Sequence, residues 1–311
     1  MATAIDGFRV GHFTNLDSLT GCTVILCPPK TKASCEVRGS SPGSRELALL
    51  APEKKVEEIH AILITGGSAY GLAAADGVMQ WLEENNVGYQ TPWAKVPLVP
   101  SAVIFDLNVG ARDVRPDAKA GYQACINASA ANADEGNVGV GTGATVGKWK
   151  SIEYCMKGGV GVASETLGDL VVSCLVVVNA VGDVIDQTGK VLAGARSADG
   201  HFYGDTDPRR PFARGSVLQK TNTTIATVVT NADFTKVELF RISQRMHDGF
   251  ARAIIPVHTS FDGDISFALS SGSVRADLDL VAEIAASTTA EAIRRAVLAA
   301  KSVHGILGLA S

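Results

Sequence analysis

The sequence predicts a layered α/β fold. Three observations carry that expectation: short continuous apolar runs such as Val171–Val178, amphipathic helical stretches between such runs, and a length of 311 residues, enough to bury a large core. In chain order, Thr23–Leu26 reads as a strand closed by Pro28-Pro29, and Arg45–Leu50 as a short helical turn. Ile62–Thr65 reads as a buried strand running into Gly66–Gly71. Apolar residues at helical spacing (Leu72, Ala75, Val78, Met79, Leu82) predict a helix over Leu72–Glu84, and the Ala-rich Lys119–Ala131 predicts another. Gly136–Gly147 is a glycine loop. Gly159–Val162, Val171–Val178 and Val184–Asp186 read as strands, the middle one buried on both faces. Residues 194–221, with Asp207-Pro208-Arg209-Arg210-Pro211 at their centre, read as an exposed linker. Strands are expected at Ile225–Val229 and Ile265–Leu269, and a helix over Val237–Ile254. Two helices should close the chain, the last opened by a capping box of Thr288 and Glu291.

Composition narrows the class. Hydrophobic residues make up 46% and charged residues 19%, which excludes a disordered chain. The net charge is −4 and no basic block is visible, so neither nucleic acid nor an anionic membrane is an expected partner. No apolar run is long enough to span a bilayer, and the N-terminus has no signal-peptide pattern. A cytoplasmic location with six reduced cysteines is therefore expected.

Several motifs fit a pattern but not its chemistry. Gly39-Ser40-Ser41-Pro42-Gly43 has the spacing of a nucleophile elbow, but Pro42 lacks the N–H that must serve the oxyanion, so a turn is expected. Gly139–Ala144 fits a dinucleotide fingerprint without the preceding strand. Gly147-Lys148 resembles the end of a phosphate loop, yet Trp149 follows. Read alone, Lys148 is a solvated surface lysine at the tip of a glycine loop. His247, His258, Asp262 and Asp264 offer ligand atoms without metal-site spacing, so neither metal nor cofactor is expected. Asn179 interrupts an apolar strand; it either holds a neighbouring loop or donates to an oxyanion.

The informative segment is Asn222-Thr223-Thr224, where the linker meets an apolar strand, together with Asp262-Gly263-Asp264 at the head of a second strand. A threonine needs a base to become a nucleophile. Its own α-amine can serve, once the preceding bond is cut. An Asn-Thr junction with nearby carboxylates is thus a candidate self-cleavage site.

These blocks, with Gly7–His12, Ser41–Glu46, Gly66–Leu72, Gly141–Lys148 and His258-Thr259, resemble one family along nearly the whole chain. It is the self-processing N-terminal-nucleophile hydrolases that include L-aminopeptidase/D-esterases, β-peptidyl aminopeptidases and 6-aminohexanoate-oligomer (nylon-oligomer) hydrolases. The resemblance implies a four-layer αββα sandwich. It implies a cut between Asn222 and Thr223 into fragments 1–222 and 223–311 that remain one domain, and a homo-oligomer, a tetramer of processed heterodimers. By position, Thr223 is the implied nucleophile and Lys148, Asn179, Asp262 and Asp264 its support, the two aspartates orienting its hydroxyl and amine. The aminopeptidase branch typically carries a serine nucleophile, a Ser-x-Glu pair, and a tyrosine where this chain has Phe105, a candidate substrate contact. Thr223 and Asp262-x-Asp264 resemble instead the threonine branch. The implied activity is hydrolysis of linear amides, such as 6-aminohexanoate oligomers. An exo-acting aminopeptidase, or a catalytically silent binding protein of the same fold, is the alternative.

Overall fold

The computed structural model describes residue 5 and residues 7–132, 134–205 and 222–311. Two five-stranded sheets stack face to face, each backed by two helices. In the first sheet the strand order is Arg9–Asn15, Thr20–Leu26, Ala61–Thr65, Ser101–Val103, Ser44–Arg45. In the second it is Gly159–Leu167, Leu170–Asn179, Thr223–Ala232, Ile265–Val274, Lys32–Val37. Helices α1 (Ala74–Glu84) and α2 (Ala118–Ile126) cover the first sheet; α3 (Lys236–Ala251) and α4 (Leu278–Leu298) cover the second.

The side-chain period of two sorts the apolar residues between layers. Along Leu170–Asn179, Val172, Cys174, Val176 and Val178 face α3 and α4. Leu175 and Val177 face Ile25, Ile62 and Ile64 of the first sheet. The run is continuous because both faces are buried, as the sequence predicts. Ala226 and Val228 turn to the helices, while Ile225 and Val229 turn to the space between the sheets. Thr223 has the parity of the latter pair. Thr223–Ala232 and Ile265–Val274 run parallel, which requires a crossover; α3 lies within it. At Gly161 a Cβ would come within 2.0 Å of the Ala292 carbonyl, so a glycine there lets α4 lie directly on the sheet.

Some expected boundaries move. A 3-10 helix, Ser68–Ala73, precedes α1, and Arg45 belongs to a short strand ahead of the 3-10 helix Leu47–Leu50. The helix expected to reach Ala131 ends at Ile126, because Asn127 donates to the His12 carbonyl and Ser129 bridges Val10. The Gly159 strand continues to Leu167, and Asp183–Ile185 replaces Val184–Asp186. Ile254 leaves α3 to pair with Val184. One helix, not two, closes the chain. Asp277 caps α4 by accepting the Leu280 N–H, and the Thr288 hydroxyl donates back to the Ile284 carbonyl at 2.8 Å, so no capping box forms there. Gly194 and Ala195 are buried, Ala195 against Trp149 and Val181, so the expected linker does not begin there. Its Asp207–Pro211 centre lies outside the described residues. All six cysteines are free thiols. Among the described residues no helix is long and apolar enough to cross a membrane.

Candidate active site

Thr223 begins the third strand of the second sheet, Asn222 precedes it, and both are almost fully buried, at 5% and 3% exposure. The Thr223 hydroxyl donates to the Asn222 carbonyl at 2.6 Å. The same carbonyl accepts the Gly263 N–H at 2.8 Å. The Gly263 N–H therefore addresses the oxygen that would turn negative if the Asn222 carbon were attacked, and the Thr223 hydroxyl lies beside that carbonyl. A Cβ on Gly263 would stand 2.7 Å from Thr223 Oγ1 and 2.7 Å from the Ser41 carbonyl. Only glycine gives that N–H its approach.

Asn179 pairs with Thr223 across the antiparallel ladder. Its Oδ1 accepts from Lys148 Nζ at 2.7 Å and from the Thr145 N–H at 3.0 Å, and its Nδ2 donates to the Phe105 carbonyl at 3.1 Å. One hydrogen of that amide remains for another acceptor. Lys148 is buried, at 2% exposure, which overturns the expectation of a solvated lysine. Gly147, at φ 72°, turns the chain so that Lys148 enters the interior. Burial pushes its ammonium down to about 7.

The two aspartates flank the same point differently from what their spacing suggests. Asp264 Oδ1 accepts the Thr224 N–H at 2.7 Å, and its Oδ2 meets His258 Nδ1 at 2.8 Å. Asp262 Oδ2 accepts from the Thr259 N–H and hydroxyl, at 2.9 and 2.6 Å. Burial first, and the charge of Asp264 second, push the Asp262 carboxyl up to about 6. Among the described residues no ion pair joins Lys148 to either aspartate; its bonds go to Asn179.

Thr223 opens onto a cavity of about 230 Å³ walled by Ser41, Pro42, Ser68, Val103, Phe105 and Phe261. Among the described residues no charged side chain lines it. The Gly39–Gly43 turn thus becomes cavity wall, anchored by the Ser41 N–H on the Asp262 carbonyl. A larger groove, about 780 Å³, is bordered by Glu165, Arg252, Glu291 and Arg294 and shares no residue with it. The smaller cavity is the candidate site because the Thr223 hydroxyl, a candidate nucleophile, faces it. Sequence reading missed Phe261, the Gly263 N–H and the His258 contact. The signals were the His258-Thr259 block, a glycine between two aspartates and an aromatic one residue before them.

A model of Peptidase family S58 matches residues 2–310. The chain belongs to peptidase family S58. An uncharacterized aminopeptidase of Mycobacterium leprae is 42% identical, over 98% of this chain and 91% of the relative. A 6-aminohexanoate-oligomer endohydrolase of Kocuria sp. is 33% identical, over 86% of this chain and 74% of the relative. Among solved structures, an L-aminopeptidase D-Ala-esterase/amidase of Ochrobactrum anthropi, described as a variant of the Ntn hydrolase fold, superposes with a TM-score of 0.74 at 18% identity. It covers 100% of this chain and 90% of that one. A β-aminopeptidase of Burkholderia sp. gives 0.69 at 21% identity, covering 99% and 90%. The S58 chain therefore has the Ntn-type αββα fold, and its class is hydrolase of amide or peptide bonds.

Proposed function

We propose that this S58 hydrolase cuts itself between Asn222 and Thr223 and then uses Thr223 as an N-terminal nucleophile on linear amides. The observation that carries this is the Asn222 carbonyl, whose oxygen accepts the Gly263 N–H while Thr223 Oγ lies within hydrogen-bond distance of it. Thr223 Oγ attacks the Asn222 carbon. The C–N bond breaks, the hydroxyl proton passes to the departing nitrogen, and an ester links Asn222 to Thr223 Oγ. Water opens the ester, leaving a carboxylate on Asn222 and a free α-amine on Thr223. Such an amine has an unperturbed pKa near 7.7–8.0, so part of it is neutral at neutral pH. It takes the Oγ proton as Oγ attacks a substrate amide, then gives a proton to the leaving amine. Asn179 donates to the oxyanion with its remaining amide hydrogen. Lys148 fixes Asn179 through Oδ1. Asp264 fixes the Thr223–Thr224 peptide through the Thr224 N–H.

The substrate class we propose is unhindered linear amides, with 6-aminohexanoate oligomers as representatives and internal cuts allowed. An exo-aminopeptidase binds a substrate ammonium, and among the described residues the cavity wall supplies no carboxylate for it. Asp262 and Asp264 are engaged by Thr259, Thr224 and His258. The 33% identity to 6-aminohexanoate-oligomer endohydrolases fits this reading. The 42% identity to proteins called aminopeptidases favours exo cleavage as the second reading. Mass spectrometry of products from a 6-aminohexanoate oligomer blocked at its amino end decides between them. Internal fragments support the endo reading. No reaction, beside fast N-terminal release from unblocked peptides, supports the exo reading.

A further inference from the structure

Behind Asp264 a chain of polar side chains runs into the protein. Asp264 Oδ2 meets His258 Nδ1 at 2.8 Å, and His258 Nε2 meets His247 Nδ1 at 3.2 Å. His247 Nε2 reaches Ser266 Oγ at 3.1 Å and the Glu36 carbonyl at 3.3 Å. Both rings pack on Phe250, with centroids 4.9 and 5.5 Å away. His258 adopts φ 53°, the left-handed region that a residue with a side chain seldom enters. In that conformation its backbone N–H, at 3.3 Å, and its ring both address Asp264 Oδ2. The strain is compensated at one atom, and that atom's carboxylate holds the peptide next to the nucleophile.

Resting on the threonine-nucleophile reading above, we propose that His258, backed by His247, is a positioning residue for Thr223. It acts through Asp264: the imidazole Nδ1–H takes one carboxylate oxygen, which leaves the other aimed at the Thr224 N–H. The Thr223–Thr224 peptide is thereby locked, and with it the direction of the Thr223 hydroxyl. His247 is suited to the supporting role. It is 1% exposed, and burial, with His258 second, pushes it down to about 3. It stays a neutral ring with one donor and one lone pair. The other charged groups near this chain are Arg38, which acts on His247, and Asp262 and Lys148, which act on Asp264.

The test compares full-length chains carrying His258→Phe, His258→Asn and His247→Phe with wild type. Self-cleavage is followed by intact mass and amide hydrolysis by initial rates. A small misplacement of a reacting group costs roughly 10²-fold, so His258→Phe should slow self-cleavage and lower kcat by about that factor. KM should stay within about twofold, because ground-state binding is untouched. His258→Asn, which returns an N–H, should recover part of the rate, and His247→Phe should fall between. In a Thr223→Ala chain, nitrogen-15 NMR should find His258 Nδ1 protonated. A folded His258→Phe chain that cuts itself at the wild-type rate overturns the proposal, as does a bare Nδ1. Equal losses in the Phe and Asn variants, tracking equal losses of melting temperature, reduce His258 to a structural residue and overturn it too. A wild-type chain that never cuts at Thr223 sinks the threonine reading itself, a different outcome from any of these.

Discussion

Asn179 and Thr223 stand opposite each other across two antiparallel strands, and the side chain of Asn179 ties Lys148, Thr145 and Phe105 to that point. One amide therefore orders a buried cation, a strand end and the cavity wall around the candidate nucleophile. Asn179→Ala should lower kcat for amide hydrolysis by about 10²–10³-fold, the usual effect of losing one oxyanion donor. It should also lower the melting temperature, because Lys148 keeps its burial and loses its side-chain acceptor, retaining only the residue 179 carbonyl at 3.1 Å. Steady-state kinetics and calorimetry check both.

Thr223→Ala should remain one chain under denaturing conditions, while wild type should separate into pieces 1–222 and 223–311. Thr223→Ser keeps a hydroxyl and should still cut. Intact mass after incubation gives the answer; a wild-type cut before Thr224, or none, rules out this nucleophile.

Gly263→Ala should block self-cleavage while the fold survives. The added methyl meets Thr223 Oγ1 and the Ser41 carbonyl, each at 2.7 Å before relaxation. Relieving these contacts must displace Thr223 Oγ1 or shift the residue 263 backbone that carries the N–H to the Asn222 oxygen. A denaturing gel beside a circular dichroism spectrum tests it, and efficient cutting by a folded Gly263→Ala chain counts against the oxyanion role.

Asp262 gives a pH signature. Its carboxyl is raised to about 6 from 3.8. Between those values the folded chain holds a proton that the unfolded chain has released, so stability rises as pH falls through the window. Asp262→Asn has no such group. The melting temperature of wild type, measured relative to Asp262→Asn, should climb as pH drops from about 7.5 to about 4.5. A flat or opposite difference refutes the buried, raised carboxyl.

Phe105→Tyr should leave self-cleavage intact, since Phe105 touches Asn179 through its backbone carbonyl. The new hydroxyl puts an acceptor into a cavity wall that, among the described residues, holds no charged side chain. The ratio of kcat/KM for unblocked over amino-blocked substrates should rise. An unchanged ratio removes Phe105 from substrate selection.

What was legible in the sequence follows the range of each interaction. Continuous apolar runs mark strands buried on both faces, so Leu170–Asn179 and Thr223–Ala232 were readable. Lys32–Val37 was not, because its mixed pattern gains meaning only beside Ile265–Val274. The Thr288-Thr289 pair looks like a helix start, but both hydroxyls bond back within one continuous helix. Thr223 and Asn222 were found through local chemistry and family resemblance together. The burial of Lys148 and the contact of His258 with Asp264 depend on tertiary packing that no local pattern encodes.

The strand order of the second sheet bears on what happens after a break at residue 222. The two strands that follow the break, Thr223–Ala232 and Ile265–Val274, lie between Leu170–Asn179 on one side and Lys32–Val37 on the other. Each piece therefore completes the other's sheet, and separating them would strip hydrogen bonds from two ladders and open both cores. Dilution should not part them. Two halves synthesised separately would each carry bare sheet edges, a known route to aggregation. A chain made whole and severed only after folding would give each edge its neighbour before it is ever exposed.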